Sequence, residues 1–310
     1  MDEFDWIARY LKPIAPSPEA MGLSNDVGKL LSHSGSVRIA TMDTLAAGTH
    51  FLKTDPLDLV GRKLVRVNVS DIISKGGLPE QVLLSIALPD GFSEQEFETL
   101  CHGIGGELQQ RGISLIGGDT IRFSGPLTLT MMMTGRCELK GPTHRNGAKP
   151  GDVLIVTGVV GAGYLGLQVA RTGNTGVYLD HYRCPEITEE QWAGVISDFA
   201  TSSLDISDGL LADASHLADA SRLAFSIDLD QVPWAAEPSD LEEMLALATG
   251  GDDYQALFTV SADRFEKFET LASERGLFFQ QVGSVSEGSG VKIHRSGVAI
   301  PLPSVKGYTH

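Results

Sequence analysis

Four stretches of this chain run from apolar residues into an aspartate beside small or hydroxyl-bearing neighbours: Arg38-Ile-Ala-Thr41-Met-Asp43-Thr44, Val67-Asn-Val-Ser70-Asp71, Leu115-Ile-Gly-Gly118-Asp119-Thr120 and Leu204-Asp205-Ile-Ser207-Asp208-Gly209. Taken singly, each aspartate reads first as a turn or helix N-cap residue. Taken together, they constrain the fold, because ligands of α/β architectures bind outside the ends of strands and such ends would bring these acids to one cleft. Several carboxylates converging there repel one another unless a cation offsets them. A set of hard oxygen ligands with no Cys/His cluster nearby selects magnesium, manganese or calcium over zinc.

Charge supports the same reading. With 40 acidic and 24 basic residues the formal net charge is −16, which argues against a general nucleic-acid binder, whose non-specific affinity needs a positive surface. Carboxylate-held magnesium is the arrangement that lets an acidic protein bind a nucleoside triphosphate, since the metal bridges polyphosphate and protein oxygens. The 310 residues include 35 glycines, above the usual share of about 7%, so tight turns and close backbone approaches are expected. The three cysteines Cys101, Cys137 and Cys184 have neither disulfide nor zinc spacing, so a reduced, cytoplasmic setting is expected. The acidic start Met1-Asp-Glu-Phe-Asp is unlike a signal peptide. Residues 153–170 are uncharged, yet their four glycines favour a buried strand, a turn and a helix start over a membrane span.

The length suggests about two domains, and the polar, turn-rich 140–152 marks the boundary, giving residues 1–139 and 140–310. Residues 2–12 are predicted helical and 13–18 a connector. Predicted strands cover 37–42, 81–88, 113–116 and 127–134, mostly apolar as buried strands are. Helices are predicted over 58–75 and 93–110, the second opened by a Ser93/Glu96 capping box. The second half alternates strands near 153–156, 224–228, 254–260 and 291–293 with helices near 162–171, 189–199, 209–221 and 262–274. Both halves are therefore α/β or α+β in class.

Two motifs point toward nucleotides by other routes. Gly161-Ala-Gly163-Tyr-Leu-Gly166 satisfies the GxGxxG pattern after a predicted strand, with Asp180 downstream; it reads either as a glycine-rich strand-to-helix turn or as an NAD/FAD fingerprint, the basis of an oxidoreductase alternative. Residues 22–30 imitate a Walker A loop but have one intervening residue too many, and Leu30 replaces the metal-binding Ser/Thr. Arg145 is either a clamp on two phosphate oxygens or a solvated loop charge.

At these residues the chain resembles the thiamine-monophosphate kinase family of the aminoimidazole ribonucleotide synthetase-like superfamily. The matching stretches run in order along nearly the whole chain: residues 4–10, 22–26, 41–51 (Thr-Met-Asp-Thr-Leu-Ala-Ala-Gly-Thr-His-Phe), 68–71 (Asn-Val-Ser-Asp), 116–120 (Ile-Gly-Gly-Asp-Thr), 145–152, 205–210 (Asp-Ile-Ser-Asp-Gly-Leu), 250–254 (Gly-Gly-Asp-Asp-Tyr) and 306–308 (Lys-Gly-Tyr). The resemblance implies two α/β domains, a homodimer formed through the N-terminal domains, and transfer of the γ-phosphoryl of ATP to thiamine monophosphate. It implies magnesium ligands at Asp26, Thr41, Asp43, Asp71, Asp119, Asp205 and Asp208, and ATP contacts at Gly118, Asp119, Arg145 and Ser207. Thiamine monophosphate would meet His50, Asp252 and Tyr308. Because the attacking group is already an anionic phosphate oxygen, no nucleophilic residue or strong base is required. Asn25 stands where the family usually has an acid, Asp252 where it has glutamate, and Val305 where an aromatic residue is frequent. Those departures motivate a second reading, a nucleotide-binding member that has lost kinase activity or acts on another small phosphate ester.

Overall fold

The computed structural model describes Met21, Ser24, Asn25, residues 27–30 and residues 35–308. The predicted helix 2–12, the connector 13–18 and Asp26 lie outside the described residues.

The first half contributes β1 (Gly28–Leu30), β2 (Val37–Ala46), α1 (Leu57–Ser74), β3 (Leu78–Pro89), α2 (Glu94–Gln110), β4 (Ser114–Phe123) and β5 (Thr128–Cys137). These strands form one sheet in the order β1-β2-β5-β3-β4, antiparallel except for the β3/β4 pair. The period of two along β5 turns Leu129, Met131 and Met133 into the core, where α1 covers them with Val65, Val69 and Ile72. The expected capping box opens α2, with Ser93 accepting from the Glu96 amide and the Ser93 amide donating to Glu96.

The second half contributes β6 (Val153–Thr157), α3 (Ala162–Thr172), α4 (Leu179–Arg183), α5 (Trp192–Phe199), β7 (Ala200–Asp205), α6 (Leu210–Ser221), β8 (Ala224–Asp228), α7 (Leu241–Thr249), β9 (Ala256–Val260), α8 (Phe265–Glu274), β10 (Phe279–Ser286), β11 (Gly290–Arg295) and β12 (Val298–Ile300). Its sheet has the order β12-β11-β8-β10-β6-β9-β7, with β8/β11 the parallel pair. Both sheets mix strands and helices as expected.

The apolar runs of β6 and β9 have a simple cause: both faces of this sheet are buried. Ile155 and Phe258 face a cluster continuous with the first half's core, closed by the rings of Trp192 and Phe268. Leu154, Val156 and Leu257 face the opposite cluster under α6. The two halves thus share a core, which fixes α1 against β7 and β9.

Two expectations fail here. Of the segment 113–116, read as a buried strand, Ile113 is buried but residues 114–116 open β4, whose residues are all exposed and which ends the sheet. Apolar content signals burial only where a second layer exists, and this edge has none within one copy. Asp71 is not at a strand end either; it sits in the last turns of α1.

Candidate active site

The first cluster of functional side chains is built by two periodicities meeting. Along β2, Thr41 and Asp43 share the face turned toward α1. Along α1, Lys63, Val67 and Asp71 recur at spacings of four and share one stripe. Where strand and helix cross, the Thr41 hydroxyl donates to Asp71 Oδ2 at 2.5 Å. One position earlier, the Ser70 hydroxyl donates to Asp205 Oδ2 at 2.6 Å, so the end of β7 joins from the other half of the chain.

Asp43, Asp71 and Asp205 therefore converge, as the motif pattern implied. Burial pushes Asp43 up to about 6 and Asp205 up to about 6. Asp71 is raised well above the carboxylate range by burial first and then by the Asp43 and Asp205 charges. Lys75 lies beneath them, fully buried, its ammonium donating to the Ser203 carbonyl; burial pulls it down to about 7 against the opposing pull of Asp205 and Asp71. One lysine against three carboxylates leaves a net negative site. Its hard oxygen donors fit a magnesium-type cation.

A second acidic group stands beside it. Asp213, on α6, accepts the Asp208 and Gly209 amides, and one of its carboxylate oxygens lies within 4.8 Å of an Asp208 carboxylate oxygen and a His216 ring nitrogen. Burial and then Asp208 raise Asp213 well above its usual range. Arg145 is pulled down by burial while Asp213, Asp205 and Asp208 pull it up. Its Nε is buried, which goes against its reading as a solvated loop charge.

These groups border a cavity of about 720 Å³ lined by Asp43, Asp71, Asp205, Ser207 and Asp208 at one end and by His50, Asp252 and Tyr308 among others. His50 Nδ1 accepts the Ala46 amide at 3.0 Å, which leaves the ring proton on Nε2 as a donor. Asp252 has φ +70°, its Oδ1 accepts the Tyr254 hydroxyl at 2.9 Å and its Oδ2 the Lys63 ammonium at 2.7 Å. Tyr308 is held by its amide bond to the Asp208 carbonyl at 3.0 Å. The preceding Gly307 allows that approach, since a Cβ there would meet the Asp208 carbonyl oxygen at 2.6 Å.

Gly118 and Asp119 do not line this cavity. Asp119 pairs with Ser85, Ser85 with Thr130 and Thr130 with Thr44, so three strand spacings, roughly 14 Å, separate it from the neighbour of Asp43. Gly118 has its own local reason: a Cβ would meet the Leu84 carbonyl oxygen of β3 at 1.9 Å.

The dinucleotide reading of residues 161–166 is overturned. The amides of Gly161 and Gly163, which would receive a pyrophosphate, donate to the two oxygens of Asp253 at 2.7 and 3.1 Å. Burial pushes that carboxyl up to about 7 despite those bonds. The strand before the motif is flanked by antiparallel neighbours, where the dinucleotide fold needs parallel ones. The glycines serve packing: a Cβ on Gly163 would meet the carbonyl oxygens of Gly251 and Asp252 at 2.5 Å. The stretch 153–170 is β6, a turn and most of α3, and among the described residues no helix is long and apolar enough to cross a membrane.

Comparison with known proteins agrees with this geometry. Residues 26–137 match the AIR synthase related protein N-terminal domain and residues 149–296 the corresponding C-terminal domain, which defines the class: a two-domain AIR synthase related protein. A thiamine-monophosphate kinase of Caulobacter vibrioides is 36% identical over 99% of this chain and 90% of its own length, and that of Escherichia coli is 33% identical over 99% and 98%. A solved structure described as AaThiL complexed with AMPPCP and TMP superposes with a TM-score of 0.84 at 27% identity, covering 100% of this chain and 97% of that one. The chain belongs to the thiamine-monophosphate kinase family.

Proposed function

We propose that this protein transfers the γ-phosphoryl group of ATP to thiamine monophosphate, yielding thiamine diphosphate and ADP. The observation that carries the reading is the convergence of Asp43, Asp71 and Asp205, from both halves of the chain, on a cavity whose lining also includes His50, Asp252 and Tyr308. Relatives of that name and a solved relative described with AMPPCP and TMP support the two substrates.

Magnesium would be held by Asp43, Asp71 and Asp205 with Thr41 and Asp208 at the margins, where it would neutralise the triphosphate and the developing charge of transfer. The chain's own residues then have distinct tasks. Arg145, facing the acids, offers a bidentate fork to phosphate oxygens, and Ser207 lines the same end. His50 Nε2–H donates toward the acceptor, Asp252 accepts from its ring end and Tyr308 offers an aromatic face. The acceptor's phosphate oxygen attacks the γ-phosphorus as ADP departs, and holding two anions in line is the main burden.

The division we propose gives residues 1–139 most of the metal site and the dimer contact, and residues 140–310 the completion of both substrate sites. Homodimerisation is supported by β4, where Leu115, Ile116 and Ile121 are at least half exposed, and by Met42 and Leu83, exposed and joined through Met132 in one cross-strand row. Such an uncovered edge is a template for a second copy. Gly118 and Asp119 stand on that strand, so their roles toward ATP and metal belong with the assembled dimer. Ile116→Glu is expected to convert a dimeric mass to a monomeric one in sedimentation. Free thiols at Cys101, Cys137 and Cys184 and the need for ATP suit the cytoplasm.

Incubating the protein with ATP, magnesium and thiamine monophosphate and separating the thiamine products by chromatography tests the reading. Thiamine diphosphate from the native protein, absent with Asp71→Asn, is the expected result. ATP binding without product would favour the non-catalytic or other-ester alternative motivated by Asn25, Asp252 and Val305.

A further inference from the structure

The stripe of α1 that carries Asp71 beneath the acidic end of the cavity also carries, two turns earlier, a buried cation. Lys63 is 1% exposed, and two turns of helix place it about 12 Å from Asp71. Its ammonium is 2.7 Å from Asp252 Oδ2, 3.2 Å from the His50 carbonyl oxygen and 4.7 Å from the centre of the Tyr182 ring. We infer that Lys63 is a positioning residue for the acceptor, fixing the His50 loop and the Asp252 carboxylate relative to each other. The inference rests on the reading that those two residues face thiamine monophosphate.

Three observations give Lys63 this task. First, the Asp252 loop is strained: Asp252 and Tyr254 have φ +70° and +52°, a region that costs a residue with a side chain on the order of 1 kcal/mol or more. The loop is held by the Asp252 amide on the Ser207 carbonyl, the Tyr254 hydroxyl on Asp252, and Lys63 from 189 positions away. Second, the ring that covers Lys63 is itself fixed, because the Tyr182 hydroxyl donates to Asp55 Oδ2 and accepts the Leu52 amide, while Arg183 pairs with Asp55. The loop bearing His50 and the loop bearing Asp252 therefore meet at one ammonium. Third, five aspartates line the cavity. Without Lys63, Asp252 would be one more uncompensated charge facing an incoming anion, its carboxylate held by the Tyr254 hydroxyl alone.

Steady-state kinetics of Lys63→Met and Lys63→Arg test this. Lys63→Met is expected to raise KM for thiamine monophosphate about tenfold or more while KM for ATP stays within about twofold, and Lys63→Arg, which keeps the charge, to recover part of the loss. Equal change of both KM values, or none, would overturn the inference. If Lys63→Met does not fold, Lys63→Arg carries the test with the same split expected, since the larger planar fork cannot occupy the ammonium's position without shifting the two oxygens relative to each other. If the native protein forms no thiamine diphosphate, the acceptor reading fails by itself. Lys63 is then judged by amide exchange of residues 46–52 and 250–254: faster exchange of both loops in the variant upholds its joining role, and unchanged exchange refutes it.

Discussion

The two ends of the cavity handle buried charge in opposite ways. At the acidic end, Asp43, Asp71 and Asp205 crowd together with Lys75 as the nearest internal cation, and burial lifts them out of the ordinary carboxylate range. At the other end, Asp252 is matched by Lys63 at 2.7 Å. The first group carries more buried negative charge than Lys75 offsets, whereas in the second Asp252 has its own buried cation. On the proposed reading, a site that recruits metal with each nucleotide keeps its carboxylates uncompensated, and a site that recognises one acceptor repeatedly holds its geometry internally.

The largest break in this comparison is expected from Asp71→Asn or Asp205→Asn. Each removes a proposed magnesium ligand and should lower kcat by about a thousandfold or more, while thermal unfolding without magnesium moves upward because one buried like charge is gone. Melting curves with and without magnesium check both parts.

The next effect is pH dependence. Asp43 and Asp205 have folded pKa values raised from 3.8 to about 6, so the folded state holds protons that the unfolded chain releases. Their contribution to stability is present in full below pH 3.8 and is lost as pH rises through about 6. The metal-free protein should lose on the order of 3 kcal/mol for each of the two carboxyls, about 6 kcal/mol together, over that interval. Magnesium, which competes with those protons, should bind more tightly across the same rise. Denaturation at pH 4.5 and 6.5, with and without the ion, reads the sign directly.

A smaller effect should come from Tyr308, about half exposed at the cavity wall. Loss of an aromatic face is worth about 1 kcal/mol, so Tyr308→Ala should raise KM for thiamine monophosphate several-fold and leave magnesium binding unchanged. This separates a contact to the acceptor from the contacts to the metal by kinetics alone.

How much of this was legible in the sequence follows the range of each interaction. The helix predicted over 58–75 is α1 at Leu57–Ser74, and the Ser93/Glu96 box was readable because its partners are three residues apart. Asp43, Asp71 and Asp205 were found from the shared local pattern of apolar residues running into acid. The same pattern at Asp119 lies on β4, an uncovered edge instead of a core, and outside the lining of the cavity. Strand β10, Phe-Gln-Gln-Val-Gly-Ser-Val-Ser, was missed because only Val282 and Val285 along it are buried apolar residues. Helix α7 was missed although Asp240 caps it through the Glu243 amide, a local signal that could have been read. Asp213, Lys63 and Lys75 had no such signal: a buried lysine looks like any other helical lysine until the fold brings its partner from the far half of the chain.

The most direct test is calorimetric titration of magnesium, with a non-hydrolysable ATP analogue present, into the native protein, Asp71→Asn and Asp252→Asn at pH 7. Magnesium binding lost in Asp71→Asn and retained in Asp252→Asn is the predicted result. Binding that survives in Asp71→Asn, or disappears equally in both variants, would contradict the assignment of the metal to the uncompensated acidic end.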